Sequence, residues 1–329
     1  MSGLGPRFEN RLEKDGVPGV LKGGWRYLLR ESVFAPALRS ALGEPLHEQV
    51  SSVQFLGYWP RIRYPCSFNE KIMHRKLYTD EERFSVVADK WRVREYVENK
   101  VGDEILNEIY HVTDDPETIP FDSLPDRFVV KATHASGKNV LVTDKSGADP
   151  GRIKSICREW LDTEFGAQHK EYWYRRIDPN VIVENYITEP GREVPLDYKF
   201  LVFDGEVEYV DVEFDRFAGQ KTRYFDREWR PQPFTDGYPL GPAIDEPDDL
   251  DEMIAISEKL ADEFDFARVD LYNPREGEIL FGEITLAPAV GWARFEPKAY
   301  DFVLGSHWKM DREQPPQLAH ENRSTTSLG

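Results

Sequence analysis

The sequence predicts an α+β protein in which two sheet-bearing lobes close on a ligand, behind a helical N-terminal region. Three observations predict it. Helical apolar spacing dominates up to about Gly102. An apolar run, a small-residue loop and a second apolar run fill Phe128 to Thr143, the pattern of an antiparallel hairpin. A second strand–turn–strand unit, Ala267 to Ala287, lies far downstream, after further alternating strands and a helix.

From the N-terminus, Val20 to Leu42 carries apolar residues at helical spacing, interrupted by Pro36, and reads as one or two amphipathic helices. Ser67 and Glu70 form an S-x-x-E capping box, so a helix starts at about Phe68. A second helix starts near Val86 or Asp89 and ends at Gly102, with Asp89 and Lys90 in its first turn. The aspartate suits the positive end of the helix dipole and the lysine does not; a bound anion or simple solvation accounts for it. Ile105 to Val112 reads as a strand, Pro150 to Glu164 as an amphipathic helix, and Val181 to Thr188 as a buried strand. Residues 197–214 alternate and turn at Asp204-Gly205, a hairpin signal. A further strand is expected at Thr222 to Phe225, and a helix at Pro247 to Phe264. In the last hairpin Asn273-Pro274 and Gly277 mark the turn. These elements divide the chain into a helical region (1–64), a first lobe (65–188), a second lobe (189–312) and a polar tail (313–329).

Composition narrows the function. With 329 residues, 40% hydrophobic and 13% aromatic, the chain is long enough and apolar enough to build a sizeable core. No apolar run approaches the ~20 residues of a membrane helix, and Met1 to Gly16 shows no secretory h-region, so a cytoplasmic location is expected. The two cysteines, Cys66 and Cys157, have no metal-ligand spacing and read as free buried thiols. A net charge of −18 argues against a general nucleic-acid binder. Arginine outnumbers lysine 26 to 16, and an acidic, lysine-poor surface resembles proteins that work in high salt, where self-repulsion is screened. An ordinary protein with acidic loops such as Ala243 to Glu252 is the plainer alternative.

Two clusters carry chemistry. In Phe128 to Asn139, FVVKATHASGKN, Lys131 ends an apolar strand, and His134, Ala135, Ser136, Gly137, Lys138 and Asn139 form a loop. Such a loop lets backbone N–H groups close over phosphate oxygens, with Lys131 and Lys138 adding charge. In Ala267 to Ala287 an even number of residues separates Asp270 from Glu283, so a regular hairpin puts both carboxylates on one face. Arg268 shares that face with Asp270, and Thr285 shares it with Glu283. Two such carboxylates suit Mg2+, a hard cation with oxygen ligands. The alternative is an Arg268–Glu283 cross-strand ion pair on a solvated face.

Seven segments in this order resemble the TupA-like ATP-grasp family, named for teichuronopeptide synthesis: FNEKI, ADKWRVREYV, FVVKATHASGKN, VENYIT, DYKFLVFDG, FARVDLY and FGEITLAPAVGW. They span roughly residues 55–310. The resemblance implies an ATP-grasp fold, with two α+β lobes whose antiparallel sheets clasp ATP. It implies that Lys90 and Lys131 contact the ATP phosphates and that His134 to Asn139, with Ser136, Gly137 and Lys138 between, cover them. Glu184 would take the adenine amino group, the backbone at Tyr186 and Ile187 the ring, Asp197 the ribose and Lys199 a phosphate. Asp270 and Glu283 would ligate Mg2+, and Arg268 would face the reacting phosphoryl group. Related ligases carry asparagine two residues after the glutamate; here it is Thr285, whose hydroxyl would ligate Mg2+ directly or through water, a departure that bears on the second metal position. Tyr198, Trp229 and Trp292 read as packing or substrate-shelf aromatics.

The implied activity is an ATP- and Mg2+-dependent carboxylate–amine ligase acting through an acylphosphate on a surface polysaccharide or glycan precursor. Its partner would be a small-molecule or lipid-linked glycan substrate, with peripheral contact at the inner face of the membrane. The alternatives are a glycosyltransferase, for which the DVEFD run at Asp211 to Asp215 and the Asp248-Asp249 pair match a D-x-D element poorly, a sugar or lipid-carrier kinase using the same ATP site, and a binding module without catalysis.

Overall fold

The computed structural model describes residues 35–310 apart from 168, 193 and 216–218. Two antiparallel sheets organise it. The smaller has the order β1-β4-β2-β3, from β1 (Ile109–Thr113), β2 (Phe128–Ala132), β3 (Asn139–Val142) and β4 (Val181–Asn185). The larger has the order β7-β6-β5-β8-β9, from β5 (Asp197–Phe203), β6 (Glu206–Phe214), β7 (Lys221–Asp226), β8 (Phe266–Arg275) and β9 (Glu278–Thr285). Helices α1 (Ala35–Leu42), α2 (Glu44–Leu56), α3 (Phe68–Tyr78), α4 (Glu82–Ala88) and α5 (Val93–Val101) precede the sheets. Helix α6 (Pro150–Leu161) packs on the small sheet; α7 (Leu250–Ala261) and α8 (Ala299–His307) serve the large lobe.

The period of two positions the site. In the small sheet Phe128, Val130, Ala132, Val181 and Val183 enter one apolar core with Ile153 and Trp160 of α6. The alternate residues Val129, Lys131 and Glu184 therefore point to the other face. In the large sheet Phe200, Val269 and Ile284 are core, and Lys199, Asp270 and Glu283 stand opposite one another in a single row across β5, β8 and β9.

The helix at Phe68 begins as the sequence predicts: Ser67 Oγ accepts from the Glu70 N–H and the Glu70 carboxylate accepts from the Ser67 N–H. Four expectations change. Asp89 and Lys90 lie in the break between α4 and α5 instead of in a first helical turn; Asp89 Oδ1 accepts from the Trp91 and Arg92 N–H groups in the turn that leads into α5. Residues 65–105 place Phe68, Ile72, Phe84, Val87, Val93 and Val97 in the core of the large sheet, although chain order groups them with the first lobe. Strand β8 runs on through Asn273 and Pro274 with a register irregularity, so the tight turn is Glu276-Gly277, with Gly277 at φ 73°. Cys157 is buried, but Cys66 is exposed because its neighbours Ser67 and Pro65, not the thiol, take the buried positions. Of the expected N-terminal helices, Ala35–Leu42 is described and Pro36 sits in its first turn, where a proline fits. Val20 to Phe34 and the tail from 311 lie outside the described residues.

No helix is long and apolar enough to cross a membrane among the described residues.

Candidate active site

One cleft runs between the two sheets, and most of the residues singled out in the sequence line it. Lys131 comes from β2, Glu184 from β4, and Ser136, Gly137, Lys138 and Asn139 from the loop before and at the start of β3. Tyr186 and Ile187 follow β4. Lys90 enters from the α4–α5 break, and Asp197, Asp270 and Glu283 from the large sheet. Lys199, Arg268 and Thr285 sit behind Asp270 and Glu283, bonded to them.

His134 is apart. It is 3% exposed, and its Nε2 meets the Trp160 carbonyl oxygen at 3.0 Å, on the α6 side of the small sheet. Burial pulls its imidazole below the ordinary value, so it stays neutral there. Its place in the loop comes from packing, and the part of the loop that lines the cleft is Ser136, Gly137, Lys138 and Asn139. Gly137 has φ 68°, a left-handed conformation that favours glycine, with open space where a Cβ would be.

The basic residues are tied to this loop and to acids. Lys90 donates from its backbone N–H to the Thr133 carbonyl oxygen (3.2 Å) and from Nζ to that of Ala135 (2.6 Å). Burial pulls its ammonium down; Glu283 opposes this and Lys131 adds to it. Lys131 is ion-paired with Glu184 across the neighbouring strands. The two lysines therefore reach the cleft from different parts of the chain, and each has a carboxylate within electrostatic range.

The large sheet supplies the acids. Arg268 donates from Nε and Nη2 to the two oxygens of Asp270 (2.6 Å each), and Nη2 also donates to Glu283 Oε1 (3.0 Å) and Thr285 Oγ1 (3.1 Å). Nη1 makes none of these bonds. Thr285 in turn donates to Glu283 Oε1 (2.8 Å). Lys199 donates to Asp197 and to Asp270 Oδ2 (2.9 Å). Burial opposes charge on Lys199, Arg268 and Glu283. For Lys199 the Asp197 and Asp270 carboxylates more than reverse it and hold the ammonium above its ordinary value. For Arg268, Asp270 does the same. Burial would raise Glu283, but Arg268, Lys90 and Lys199 outweigh it and hold its carboxyl at about 2. Glu283 is thus an anion at neutral pH, with 38% of its side chain open to the cleft, while Asp270 lies deep at 3% exposed.

The Asp270 and Glu283 oxygens converge on one cationic group, Arg268 Nη2, and with the Thr285 hydroxyl the set is all oxygen. That donor chemistry fits Mg2+, which takes one or two protein carboxylates and completes its shell with water and phosphate. Among the described residues no group of three His, Cys, Asp or Glu forms a closed metal cage.

Other residues of the site were not singled out in the sequence. Val129 and Leu141 pair across β2 and β3 in the same row as Glu184, giving the cleft an apolar slot beside a carboxylate. Gly282 is the extra residue between the Asp270–Glu283 and Leu271–Phe281 pairs. A Cβ there would come within 2.9 Å of the Asp270 carbonyl oxygen and 3.2 Å of the Tyr272 ring, so the bulge that aims Glu283 at the cleft needs glycine. A glycine inside an apolar strand pattern is the signal that marks such a position.

Glu171 is 8% exposed and burial, with Glu48 and Glu283 adding and Lys76 opposing, pushes its carboxyl up to about 7. The folded protein then holds a proton that the unfolded chain, at the ordinary value of 4.5, has released. Its contribution to stability is full below 4.5 and falls as pH rises through 7, by on the order of 3 kcal/mol. Glu171→Gln should therefore gain stability over the wild type as pH goes from 5 to 8. Denaturant titrations at both pH values check this, and an equal difference at the two refutes it.

A search of curated proteins finds no match to this sequence. Among solved structures the chain is similar to a D-alanine–D-alanine ligase from Bacillus anthracis complexed with ATP, at 17% identity and TM-score 0.36, covering 61% of this chain and 55% of that one. It is similar to purK, an N5-carboxyaminoimidazole ribonucleotide synthetase in its ADP complex, at 14% and 0.40, covering 61% and 45%. It is also similar to the ATP-grasp ligase PsnB in complex with a phosphomimetic variant of its minimal precursor, Mg and ADP, at 12% and 0.38, covering 84% and 75%. The chain spans about half the length of the first two. The family comparison reaches further, because the profile described as TupA-like ATPgrasp matches residues 70–309, which hold every element of the cleft. The chain belongs to the TupA-like ATP-grasp family and has the ATP-grasp fold.

Proposed function

We propose that the protein is an ADP-forming carboxylate–amine ligase that uses ATP with Mg2+ and acts on a surface polysaccharide or glycan precursor. The observation that carries this is the pairing, across one cleft, of the Asp270–Glu283 carboxylates with Lys90 and Lys131 from two other parts of the chain. Val129 and Leu141 provide a flat apolar slot for a purine, with Glu184 at its edge. Lys90, Lys131 and the Ser136–Asn139 loop hold the triphosphate, and Arg268, bonded to both Asp270 and Glu283, adds positive charge behind the transferring group. Asp270, Glu283 and Thr285 would hold Mg2+, which supplies neutralisation of charge on the β- and γ-phosphates.

In the first step a substrate carboxylate oxygen bonds to the γ-phosphorus, the bond to the β-phosphate oxygen breaks, and ADP leaves an acylphosphate. An amine nitrogen then bonds to the acyl carbon, the C–O bond to phosphate breaks, and the amine proton passes to the departing phosphate or solvent. Positioning and charge neutralisation do most of this work. The substrate is a small-molecule or lipid-linked glycan carrying a uronic acid, met in the cytoplasm at the inner face of the membrane. Against the glycosyltransferase reading, Asp211 of the DVEFD run is 4% exposed in mid-β6 and accepts from Thr222 Oγ1.

Release of ADP from panels of uronic acids and amines tests the reading, with hydroxylamine added to trap the acylphosphate as a hydroxamate. Hydroxamate together with ADP supports the ligase. ADP release with the phosphate retained on an acceptor hydroxyl makes the protein a kinase instead. A thermal shift with UDP-glucose and none with Mg-ATP makes it a glycosyltransferase. The net charge of −18 fits a high-salt cytoplasm; on that view the melting temperature rises from dilute buffer to molar KCl, and equal values in both would remove the idea.

A further inference from the structure

The loop between α2 and α3, Gly57 to Cys66, turns its side chains alternately in and out. Pro60, Ile62 and Pro65 are buried, while Trp59, Arg61, Arg63 and Tyr64 face solvent. Glu70 fixes this arrangement, accepting from the N–H groups of Arg61 (2.7 Å), Cys66 (2.8 Å) and Ser67 (3.1 Å). The start of α8 continues the surface: Phe302 contacts the Tyr58 ring at 5.6 Å, and Lys298 Nζ donates to the Gly57 carbonyl oxygen at 3.1 Å.

Two properties set this surface apart. Of the eight large apolar side chains exposed among the described residues, four are here: Trp59 (53%), Tyr64 (65%), Phe302 and Val303. Its open charges include Arg61, Arg63 and Lys298, two acids beside them are turned inward, and the exposed Glu296 just before Lys298 is paired with Arg294. Glu70 is 1% exposed and bonded as above; Asp301 is 2% exposed and accepts from the Tyr58 hydroxyl and the Asn69 N–H. Neither arginine is ion-paired among the described residues. A chain of net charge −18 therefore carries a local cationic surface set with a tryptophan and a tyrosine.

We propose that this surface docks the protein on an anionic lipid bilayer. Trp and Tyr have an apolar ring and a polar edge and settle at the headgroup level, and arginine and lysine beside them are attracted to anionic headgroups. A headgroup layer needs no matching shape, so a short fixed loop that presents side chains outward is sufficient. A chain of net charge −18 is repelled by the same layer, so a locally cationic face lowers the barrier to approach. The loop also leads directly into the site's scaffold. Asn69, at the start of α3, exchanges hydrogen bonds with the Ala293 backbone (2.9 and 3.0 Å), in the segment that follows Thr285. Docking does not depend on the ligase reading, because it needs neither ATP nor an acceptor.

The experiment is flotation of the full chain with vesicles of phosphatidylcholine alone or mixed with phosphatidylglycerol, in dilute buffer and in molar KCl. Wild type should float with the anionic vesicles in dilute buffer and much less with the neutral ones. Arg61→Ser with Arg63→Ser should weaken that binding by on the order of tenfold or more, at about 1 kcal/mol per basic residue. In molar KCl charges are screened within ~3 Å, so the arginine effect should vanish while the effect of Trp59→Ser with Tyr64→Ser remains. All four positions are exposed, so the variants should melt with the wild type. Absence of binding, equal binding to both vesicle types, or binding indifferent to all four substitutions overturns the proposal. A change of oligomeric state in the variants without a change in vesicle binding also overturns it and assigns the surface to a second copy of the chain.

Discussion

Glu283→Gln should remove the Mg2+-dependent part of the stabilisation that ATP gives, and leave the Mg2+-independent part intact or larger. In the wild type Glu283 is an anion at neutral pH, facing Arg268, Lys90 and Lys199, and shares one guanidinium nitrogen with Asp270. Glutamine keeps the shape but deletes the charge. Asp270 alone then competes for a divalent cation while it is already held by Arg268 and Lys199. The same deletion leaves three cations with less opposing charge, so the bare triphosphate meets a more positive cleft. A ligand at a hundred times its Kd stabilises the native state by about 2.7 kcal/mol, a shift of roughly 4 °C in Tm for a chain of this size. Thermal melts with ATP, with and without Mg2+, on wild type and variant read both parts. If Glu283 is only the cross-strand partner of Arg268, the Mg2+-dependent shift survives the substitution and the metal assignment fails.

The elements of this site were legible in the sequence because each rests on local chemistry. The even spacing of Asp270 and Glu283 predicts a shared face, and the two are paired across β8 and β9, although two register irregularities separate them from the turn. The small-residue loop after Lys131 lies at the cleft, and the alternation of β2 separates Lys131 from the core. What depends on packing between distant segments was not legible. His134 sits in the same loop as Ser136 and Gly137, and only the position of α6 decides that its ring turns inward to Trp160. The apolar faces of α3, α4 and α5 can be read from their spacing, but spacing does not name the partner, and the partner is the large sheet. Lys199 and Arg268 carry the right charge for phosphate, yet in the structure both are engaged with carboxylates of their own sheet. Their role is first to hold Asp270 and Glu283 in place. Glu48, Lys76 and Lys170 look like ordinary surface charges when each is taken alone, because burial of a charge is decided entirely by tertiary contacts.

Those three residues should produce the largest stability effect in the molecule. Glu48 on α2 and Lys76 on α3 are both 0% exposed, and Lys170, in the segment before the Tyr172–Arg176 turn, is 2% exposed. Glu48 Oε1 accepts from Lys76 (2.9 Å) and from Trp292 Nε1 (3.1 Å), and its other oxygen accepts from Lys170. Burial would raise the Glu48 carboxyl, but the two lysines outweigh it and hold it well below the usual carboxylate range. Lys170 is held at φ 62°, a conformation unusual for a residue with a side chain, so the ion pair also fixes strained backbone. Glu48→Gln would leave two buried ammonium groups on a neutral amide, which should cost about 3–5 kcal/mol. Burial already pulls the Lys170 ammonium down; in the variant it would lose its proton more readily. The unfolded chain then binds more protons than the folded one, so the deficit should shrink as pH rises from 7 toward 10. Adding Lys170→Met to Glu48→Gln removes the unpaired cation and should restore part of the loss, leaving Lys76 opposed by Glu171. Denaturant unfolding of the two single variants and the double variant, at pH 7 and pH 9, measures the coupling. A double variant no more stable than Glu48→Gln would mean that the cluster acts through packing and not through charge. Trp292 follows Thr285 by seven residues, and its bond to Glu48 anchors the segment leaving β9. The Glu48 variant should therefore also blunt the Mg-ATP shift in proportion to the stability it loses, linking a charge cluster outside the cleft to the geometry of the proposed metal ligands within it.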